Sequence, residues 1–375
     1  QINMIAVSIL LLFLSITPLV HGQEIFSTVE GVQEEDSNEV SAGARYTTIT
    51  GRSNNNVAGG LHNAASDSIQ RKLDNDDSGD LAFIGGGVDN VASGAKTVIG
   101  GGENNIANAT YSSILGGNRN IASKYGSTVG GGTFNVASET DSTISGGFDN
   151  TASGYQSTVG GGYNNTASGT RSFIGGGYFN EASEVGSTIS GGYDNVASEY
   201  YSTVGGGNAN RATAEYSTIS GGGENVASGS ISTVGGGAYN VASGEDSTIS
   251  GGEFNVASGI LSTVGGGLDN TASGDLSFIG GGSENTANGK YSIAMGKNAK
   301  AETDHSCVIN LLPGKVASST KVGEFLVSSK KFTIRIGSKK VSIDKNNIKN
   351  FKNLLKGPGR RLKQIDEQKE INNKQ

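Results

Sequence analysis

A 15-residue repeat constrains this chain more than any other feature of its sequence. Between residues 157 and 285 the pattern Ser-Thr-Val-Gly-Gly-Gly-x-x-Asn-x-Ala-Ser-Gly-x-x recurs without a change of register. A fixed period of this size is typical of a solenoid, in which each repeat forms one coil and buries its apolar face only by stacking on its neighbours. The sequence therefore predicts an all-β fold, a parallel β-solenoid of about fourteen 15-residue coils with a short β/α cap at its C-terminal end.

Three columns of residues define the coil. An Asn follows a branched aliphatic residue after six positions, and an Ala follows it after eight. We expect the aliphatic and Ala columns to fill a thin core, because β-branched residues suit a pleated surface. The Asn column has two open interpretations, an amide ladder along the axis or a left-handed turn position. The aliphatic column consists of Ile84, Ile99, Ile114, Val129, Ile144, Val159, Ile174, Ile189, Val204, Ile219, Val234, Ile249, Val264 and Ile279.

Glycine marks both turns of the predicted coil. The two glycines that follow the aliphatic residue at the second and third positions, such as Gly161 and Gly162, permit positive φ or a close approach of two backbones. The Ser168-Gly169 pair and its equivalents indicate a second turn. The sequence thus predicts a first turn after the aliphatic column and a second turn after the Ala column.

The repeat resembles the head repeats of trimeric autotransporter adhesins, the YadA-like head. The run Ser-x-Ile-Gly-Gly-Gly-x-x-Asn-x-Ala-Ser-Gly carries the similarity, and residues 292–301, Ser-Ile-Ala-Met-Gly-Lys-Asn-Ala-Lys-Ala, are close to the 14-residue form of that repeat. The similarity covers residues 81–301. It implies a left-handed parallel β-roll, three chains side by side and an adhesive surface. After Ala301 we find no series of strands like the membrane anchor of those adhesins, and we expect that domain to be missing.

The N-terminal region predicts secretion. An apolar run over residues 5–20 closes at Val20-His21-Gly22, which is typical of a signal peptide over residues 1–22. We therefore expect a secreted, extracellular or cell-surface protein with no transmembrane segment in the mature chain. Residues 23–80 are acidic and irregular and are interpreted as a linker with a degenerate N-terminal cap. The repeat domain then occupies residues 81–301.

The C-terminal region differs from the repeat in charge. From Leu311 to Gln375 there are 16 Lys or Arg against five Asp or Glu, a net charge of +11; the whole chain carries −7, so the remainder carries −18. Residues 302–344 are predicted to form a β-rich cap and residues 345–375 a basic helical tail, with Ile348, Phe351, Leu354 and Leu355 on one helical face. The tail has four possible roles: an oligomerising helix, a contact to an anionic surface, a binding site for the acidic part of a neighbouring chain, or a solvated helix.

Aromatic residues concentrate in the two turns, where the repeat is variable. Exposed Tyr and Phe beside acidic residues favour a recognition surface for a cell-surface, glycan or matrix ligand. The alternative is that they stack on neighbouring coils or on another chain. The candidate surface residues are Tyr163, Tyr178, Phe179, Tyr193, Tyr200, Tyr201, Tyr239 and Phe254.

A Thr column precedes the aliphatic column and supports a second functional hypothesis. Regularly spaced Thr on a flat solenoid face is similar to insect ice-binding proteins with 15-residue coils. Those proteins have paired Thr-x-Thr ranks, whereas each rank here has one Thr, and Phe83, Phe173 and Phe278 interrupt the column. Ice binding, or the binding of another small ligand, is therefore the alternative to an adhesive rod.

Catalysis is not indicated by the sequence. After removal of the signal peptide only His62, His305 and Cys307 remain of the His and Cys residues, and they show no ligand spacing. We expect no enzyme, no cofactor, no metal site and no nucleic-acid partner. The lone Cys307 is buried, free or bonded to another chain. Two sequons predict N-glycosylation at Asn108 and Asn164 in a host that glycosylates secreted proteins.

The thin core also favours association of the chain with copies of itself. One coil contributes one Val or Ile and one Ala, worth about 2 to 4 kcal/mol by area, whereas ordering fifteen residues costs at least ~15 kcal/mol. Backbone ladders offset part of this difference. We therefore expect a homo-oligomer, a trimer by resemblance, in which aromatic and aliphatic flanks of the coil are buried between chains.

Overall fold

The computed structural model describes residues 81–336 and 339–344, together with short strands at 27–30, 39–40, 47–50, 56–57 and 64–66. The signal peptide predicted at 1–22 and the helical tail predicted at 345–375 lie outside the described residues. The described chain forms the predicted parallel β-solenoid, with about 16 turns. Each coil supplies one short strand to each of two parallel sheets, and each strand pairs with the strand one coil earlier and the strand one coil later.

The first sheet, here called the Val/Ile sheet, contains the aliphatic column. Most of its strands have two residues, an outward Thr followed by an inward Val or Ile. Its strands in the described chain are Glu39–Val40, Asn56–Val57, Ala82–Ile84, Thr97–Ile99, Ser113–Ile114, Thr128–Val129, Thr143–Ile144, Thr158–Val159, Phe173–Ile174, Thr188–Ile189, Thr203–Val204, Thr218–Ile219, Thr233–Val234, Thr248–Ile249, Thr263–Val264, Phe278–Ser283, Ile293–Lys297, Cys307–Asn310 and Phe325–Ser328.

The second sheet, here called the Ala sheet, contains the Ala column. Its strands place a variable residue outward and the Ala inward. Its strands in the described chain are Ser27–Glu30, Thr47–Thr50, Ala64–Ser66, Val91–Ala92, Ile106–Ala107, Ile121–Ala122, Val136–Ala137, Thr151–Ala152, Thr166–Ala167, Glu181–Ala182, Val196–Ala197, Arg211–Ala212, Val226–Ala227, Val241–Ala242, Val256–Ala257, Thr271–Ala272, Thr286–Ala287, Ala299–Ala301 and Ala317–Ser318.

Both sheets continue past the last 15-residue repeat. Cys307–Asn310 pairs with Ile293–Lys297, and Phe325–Ser328 pairs with Cys307–Asn310, so the Val/Ile sheet reaches Ser328. Lys331–Ile336 and Lys339–Asp344 then form an antiparallel hairpin whose described strands pair with each other. In this hairpin Lys331 lies opposite Asp344, which returns the chain to the place where the hairpin began.

The core consists of the two predicted inward columns. From Ile84 to Val308 the side chains of the aliphatic column and of the Ala column are fully buried. Because each coil contributes so few apolar atoms, the core is one residue wide, and it is continuous only because the register is maintained from coil to coil.

The Asn column forms an amide ladder along the axis. The backbone N–H of Asn210 donates to Oδ1 of Asn195 at 3.0 Å, and its Nδ2 donates to the carbonyl oxygens of Gly206 and Gly222, both at 2.9 Å. Its Oδ1 accepts from N and Nδ2 of Asn225, both at 3.1 Å. Each buried Asn therefore binds the coil before it, its own first turn and the coil after it.

The left-handed position belongs to the residue before each Asn rather than to the Asn itself. Ala209 precedes Asn210 and has a φ of 53°, and Phe254 precedes Asn255 and has a φ of 56°. A second left-handed residue occupies the second turn, as at Tyr216 with a φ of 56°. The amide ladder is therefore the correct interpretation of the Asn column, and each coil has two left-handed turn residues.

Only some of the repeated glycines are required by the packing. A Cβ added to Gly222, which has a φ of +96°, would lie 2.1 Å from the carbonyl oxygen of Gly237. A Cβ added to the adjacent Gly221 would have no heavy atom within 4 Å. Close stacking of the first turn therefore fixes the glycine three positions after the aliphatic residue, and the glycine before it at this coil is sterically free.

We predict that replacing Asn210 with Ala destabilises the solenoid far more than replacing Asn208, which lies two residues away. Asn210→Ala removes the two hydrogen bonds donated by Nδ2 and the two that Asn225 donates to Oδ1, a cost of about 4 kcal/mol at about 1 kcal/mol per net hydrogen bond. Asn208 is exposed, so Asn208→Ala should change stability by less than about 0.5 kcal/mol. Urea unfolding followed by circular dichroism measures both, and equal midpoints would contradict the role of the ladder.

Candidate functional site

The two turns carry the exposed aromatic residues, and the backbone aligns them from coil to coil. At the first turn, isolated parallel bridges join Phe148 to Tyr163, Tyr163 to Tyr178 and Tyr178 to Tyr193. Strand spacing in a sheet is about 4.8 Å, which is close to the distance at which aromatic rings stack. A side chain at this position therefore contacts its equivalent in the next coil.

Six rings at the first turn form a continuous ridge, here called the first-turn ridge. Phe148 and Tyr163 stack at 5.3 Å between centroids with an interplanar angle of 5°, and Phe179 meets Tyr163 edge to face at 5.3 Å. The rings are 37% to 57% exposed, with Tyr178 the most exposed. The first-turn ridge consists of Phe134, Phe148, Tyr163, Tyr178, Phe179 and Tyr193.

The second turn carries a separate cluster of three tyrosines. Tyr200 meets Tyr201 edge to face at 4.5 Å and Tyr216 at 5.6 Å, while Tyr201 and Tyr216 are parallel at 5.8 Å. The neighbouring Tyr201 phenol raises the pKa of Tyr200, with smaller contributions from burial and from Tyr216. This cluster lies on the opposite edge of the coil from the first-turn ridge.

A third group lies at the first turn further along the rod. Tyr239 and Phe254 stack at 4.8 Å with an interplanar angle of 9°. The hydroxyl of Tyr239 donates to Oε1 of Glu224 at 3.0 Å, and this hydrogen bond and the charge of Glu224 raise the pKa of Tyr239. The hydroxyl thus has a partner within the chain, while both residues remain partly exposed.

The predicted surface residues fall into these three groups rather than one site. Tyr163, Tyr178, Phe179 and Tyr193 belong to the first-turn ridge. Tyr200 and Tyr201 belong to the second-turn cluster, and Tyr239 and Phe254 form the third group. The rings stack on neighbouring coils, as one interpretation expects, and they also remain exposed. A role in recognition stays a prediction.

Sequence reasoning missed an apolar face at the C-terminal end of the Val/Ile sheet. In the last three strands the outward positions change from Thr and Gly to large apolar residues, whereas the inward Ala294 and Val308 remain buried. The run Ser-Ile-Ala-Met-Gly at 292–296 was the available signal, because apolar residues flank the inward Ala on both sides. The C-terminal apolar face consists of Ile293, Met295, Cys307, Ile309, Phe325 and Val327.

Cys307 belongs to this face. Its thiol is partly exposed, and burial raises its pKa. The thiol therefore favours its protonated form over the thiolate, the form that attacks disulfides and binds metals.

The Thr column lies outward on the Val/Ile sheet. Thr188, Thr203 and Thr218 pair in register, and the column continues to Thr263 with partly exposed side chains. This is the flat hydroxyl-bearing face on which the ice-binding hypothesis depends, with one Thr in each rank.

The two predicted glycosylation sites differ in accessibility. Asn108 is exposed beside the second turn, where most coils have Ser. Asn164 is half-buried at the left-handed position of the first turn, with a φ of 51°, next to Tyr163 of the first-turn ridge.

Among the described residues, no three His, Cys, Asp or Glu side chains are grouped closely enough to hold a metal ion. In the same part of the chain no helix has both the length and the apolar character needed to span a bilayer.

Comparison with known proteins gives one family match. A family model described as "Ubiquitous surface protein adhesin repeat" matches residues 142–154. This match and the parallel β-solenoid support a repeat region similar to that of YadA-like adhesins. The match covers most of one coil: the Thr143–Ile144 strand, the first turn, Asn150 and the Thr151–Ala152 strand. These repeat features recur from coil to coil. No curated protein matches the chain. The YadA-like repeat suggests an adhesive surface protein and leaves its ligand open.

We predict that Glu224 controls the ionisation of Tyr239. The hydrogen bond to Glu224 stabilises the protonated phenol, so Glu224→Gln should lower the pKa of Tyr239 towards its ordinary value. Because the folded-state pKa is raised, the interaction stabilises the fold at neutral pH and is lost as the pH rises through that pKa. Titration of the ring signals by NMR measures the shift. Tyr163 in the same Glu224→Gln sample is the control, and an unchanged Tyr239 would contradict the interaction.

Proposed function

We propose that this protein is a secreted, non-enzymatic adhesive rod whose first-turn ridge binds a glycan, matrix or cell-surface partner. The first-turn ridge is the observation that carries the proposal, because exposed contiguous aromatic surface is typical of interaction sites. The YadA-like repeat supports the same class of function.

The conformation of the ridge also supports a binding role. Phe134 and Phe179 adopt φ values of 58° and 56°, a region in which bulky residues are rare. Gly, Asn or Asp would adopt this conformation at lower cost, and Asp149, Asn164 and Asp194 do so in neighbouring coils. Large rings at this position therefore favour a role beyond turning the chain.

Ring geometry suggests how the ridge contacts its partner. Phe148 and Tyr163 cover each other's faces, so they present edges to solvent. Tyr178 and Tyr193 are the most exposed members and carry hydroxyl groups that can donate and accept. The ridge thus offers apolar edges and hydroxyls in a row along the axis, a combination suited to an extended glycan or polypeptide.

We predict that substitution of the exposed tyrosines weakens adhesion. The intact protein is screened on arrays of glycans and matrix proteins, and Tyr178→Ser with Tyr193→Ser should weaken binding to the partner found by about tenfold or more. Leu268→Ser is the control, since Leu268 has the same coil position and is also exposed, at 45% against 57% for Tyr178 and 51% for Tyr193. If both variants retain binding, the first-turn ridge is not the binding surface. Thermal hysteresis lost on Thr203→Tyr and Thr218→Tyr would instead assign the function to the Thr face.

We also propose that the rods associate as trimers and that the C-terminal apolar face takes part. Copies of this face can bury Met295, Ile309 and Phe325, which the single chain leaves exposed or half-exposed. Along the rest of the Val/Ile sheet most outward positions carry Thr, Gly or Ser, and the exposed apolar exceptions are Phe83, Val98, Leu115, Phe173 and Phe278. The apolar contact therefore centres on the last strands, where such residues occupy consecutive coils. In a glycosylating host we further expect a glycan at Asn108, which lies well away from this face in the sequence.

We predict that Met295→Asp with Ile309→Asp yields monomers. Charged side chains at the C-terminal apolar face would oppose burial between copies. Thr203→Asp with Thr218→Asp places the same charges on the same sheet in the middle of the rod and should leave the oligomer intact. Light scattering after size-exclusion chromatography measures the mass. A monomeric native protein, or an oligomer that survives the first pair of substitutions, would contradict the proposal.

A further inference from the structure

The balance of charge reverses along the rod near its C-terminal end. Between residues 212 and 289 the chain has eight acidic side chains and no Lys or Arg. Between residues 290 and 335 it has eight Lys or Arg and three acidic side chains. Both blocks belong to the described part of the chain. A surface that crosses the boundary between them therefore has an acidic half and a basic half.

Eight successive second turns form such a surface. Backbone hydrogen bonds stack them in order, as where the N–H of Leu261 donates to the carbonyl of Glu245 at 2.8 Å. The last of these bonds runs from the N–H of Gly323 to the carbonyl of Asp304 at 2.9 Å. At the spacing of strands in a sheet, eight turns cover about 34 Å along the axis. Six of their exposed side chains are here called the second-turn strip: Glu215, Glu245, Leu261, Leu276, Lys290 and Lys321.

The second-turn strip is symmetric about its midpoint. Its two leucines lie in adjacent coils and flank the midpoint. Glu245 lies one coil before the first leucine, and Lys290 lies one coil after the second. Glu215 lies three coils before the first leucine, and Lys321 lies three coils after the second. Each acidic member therefore has a basic member at the same distance on the other side of the midpoint.

We propose that two copies of the chain associate antiparallel through the second-turn strip. A twofold axis between the coils of Leu261 and Leu276 places the leucines of the two copies against each other. The same rotation brings Glu245 opposite Lys290 of the second copy and Glu215 opposite Lys321 of the second copy. Because such an interface is isologous, each of these contacts occurs twice.

Like charges oppose the neighbouring arrangements of two copies. In a parallel contact every turn meets its own equivalent, so Glu245 would face Glu245. An antiparallel shift by one coil towards the C-terminus places Asp275 opposite Asp275 and Asp304 opposite Glu245. A shift by one coil the other way places Glu245 opposite Asp275 and Glu215 opposite Asp304. Like charges in direct opposition are destabilising, so charge favours the symmetric register over both shifts.

The charged groups of the strip are not used in ion pairs of their own chain. Among the described residues the ion pairs are Arg211 with Asp194 and Lys297 with Glu284. The Lys290 ammonium lies 5.5 Å from the centre of the Tyr291 ring, on the exposed edge of the coil. A carboxylate of a second copy can therefore approach it.

The carboxylates next to Lys290 in the stack are held by backbone groups. Oδ1 of Asp275 accepts from the N–H of Ile260 at 3.2 Å. Oδ1 of Asp304 accepts from the N–H of Lys290 at 3.0 Å. In the symmetric register Asp304 faces Ser230 and Asp275 faces Ile260, and neither of these residues carries a charge. The two carboxylates therefore meet no like charge on the second copy.

The leucines at the midpoint also favour a partner. Leu261 and Leu276 are 49% and 41% exposed. They adopt φ values of 57° and 54°, where Gly126 and Asp246 occupy the same coil position at lower conformational cost. Burial between two copies would remove these apolar side chains from water.

The size of the strip predicts a weak and reversible dimer. A strip one turn wide and about 34 Å long is smaller than the roughly 800 Å² per partner of a standard interface. Its exposed charges also make the contact sensitive to salt. The strip shares no residue with the C-terminal apolar face proposed for the trimer, so the two contacts can be tested separately.

Disulfide cross-linking tests the antiparallel register. Glu245→Cys and Lys290→Cys are made separately in the full-length chain with Cys307→Ser, then mixed and oxidised. Within one chain the two positions lie three coils apart, about 14 Å, which is too far for a disulfide. The mixture should give at least about tenfold more covalent dimer than either protein alone. Equal yields from each protein alone, or no dimer from the mixture, would overturn the proposal.

Two further mixtures exclude other contacts. Asp275→Cys with Lys290→Cys should give little dimer, because the symmetric register separates them by two coils, about 10 Å. Efficient cross-linking of that pair would contradict the register. The Glu245→Cys and Lys290→Cys mixture should still cross-link when both proteins carry Met295→Asp with Ile309→Asp. Loss of the dimer there would assign the proximity to the C-terminal apolar face and overturn the antiparallel contact.

A charge exchange tests the ion pairs without cysteines. Glu215→Lys with Glu245→Lys should weaken dimerisation by about tenfold or more in sedimentation velocity, because like charges then face each other. Adding Lys290→Glu with Lys321→Glu should restore it. Glu253→Lys with Asp269→Lys makes the same change of charge at exposed first-turn positions and should leave dimerisation unchanged. Circular dichroism checks that each variant is folded. A folded quadruple variant that stays monomeric, or equal weakening by the first-turn pair, would contradict the proposal.

Discussion

The Asn ladder is the interaction on which the rest of the solenoid depends. A coil with a core one residue wide gains little from apolar burial, so coil-to-coil register has to come from directional contacts. Each buried Asn provides them, because one side chain binds the preceding Asn, the first turn of its own coil and the first turn of the next coil. A shift by one residue would leave these amides buried without partners, which is why the period of 15 persists.

The ladder also divides the positions of the coil into those that tolerate substitution and those that do not. The inward columns and the glycine three positions after the aliphatic residue admit almost no change, since they are buried or packed against carbonyl oxygens. The turn residues around them contact solvent and turn residues of the same or adjacent coils. Side chains as different as Ala209, Tyr239 and Asp269 therefore occupy the same left-handed position. Variation in the turns is what gives the rod distinct surfaces along its length.

The fold was predictable because residues at the same position of the 15-residue repeat have the same burial in successive coils. The Val/Ile and Ala columns were assigned to the core from spacing alone, and both are buried. The role of the Asn column was not predictable, because a ladder and a left-handed turn require the same spacing. Only the φ of the preceding residue distinguishes them. The aromatic residues could be assigned to the two turns from their positions in the repeat, but their grouping into three sets depends on ring contacts that the structure gives.

The C-terminal apolar face shows a different limit. The sequence shows the apolar residues Ile293 and Met295 on either side of Ala294. The alternation of inward and outward residues assigns them to a face only when the inward residue is known. Here the inward residue is a small Ala, where most coils have Val or Ile. The substitution inverts the usual pattern of large residues inside and small residues outside. A prediction from hydrophobicity alone would place Ile293 and Met295 in the core and Ala294 on the surface.

The direction of the hydrogen bonds gives the rod a mechanical property. Bonds between coils, such as Val226 N to Asn240 O, join elements stacked along the axis, so a pull on the two ends loads them directly. A coil that detaches changes from about 4.8 Å of rod to about 50 Å of extended chain, at about 3.4 Å per residue. Releasing one coil thus lengthens the molecule by nearly the height of ten, while the remaining coils keep their contacts. Under tension the solenoid acts as a stepwise extensible tether, and its surfaces stay folded as it lengthens.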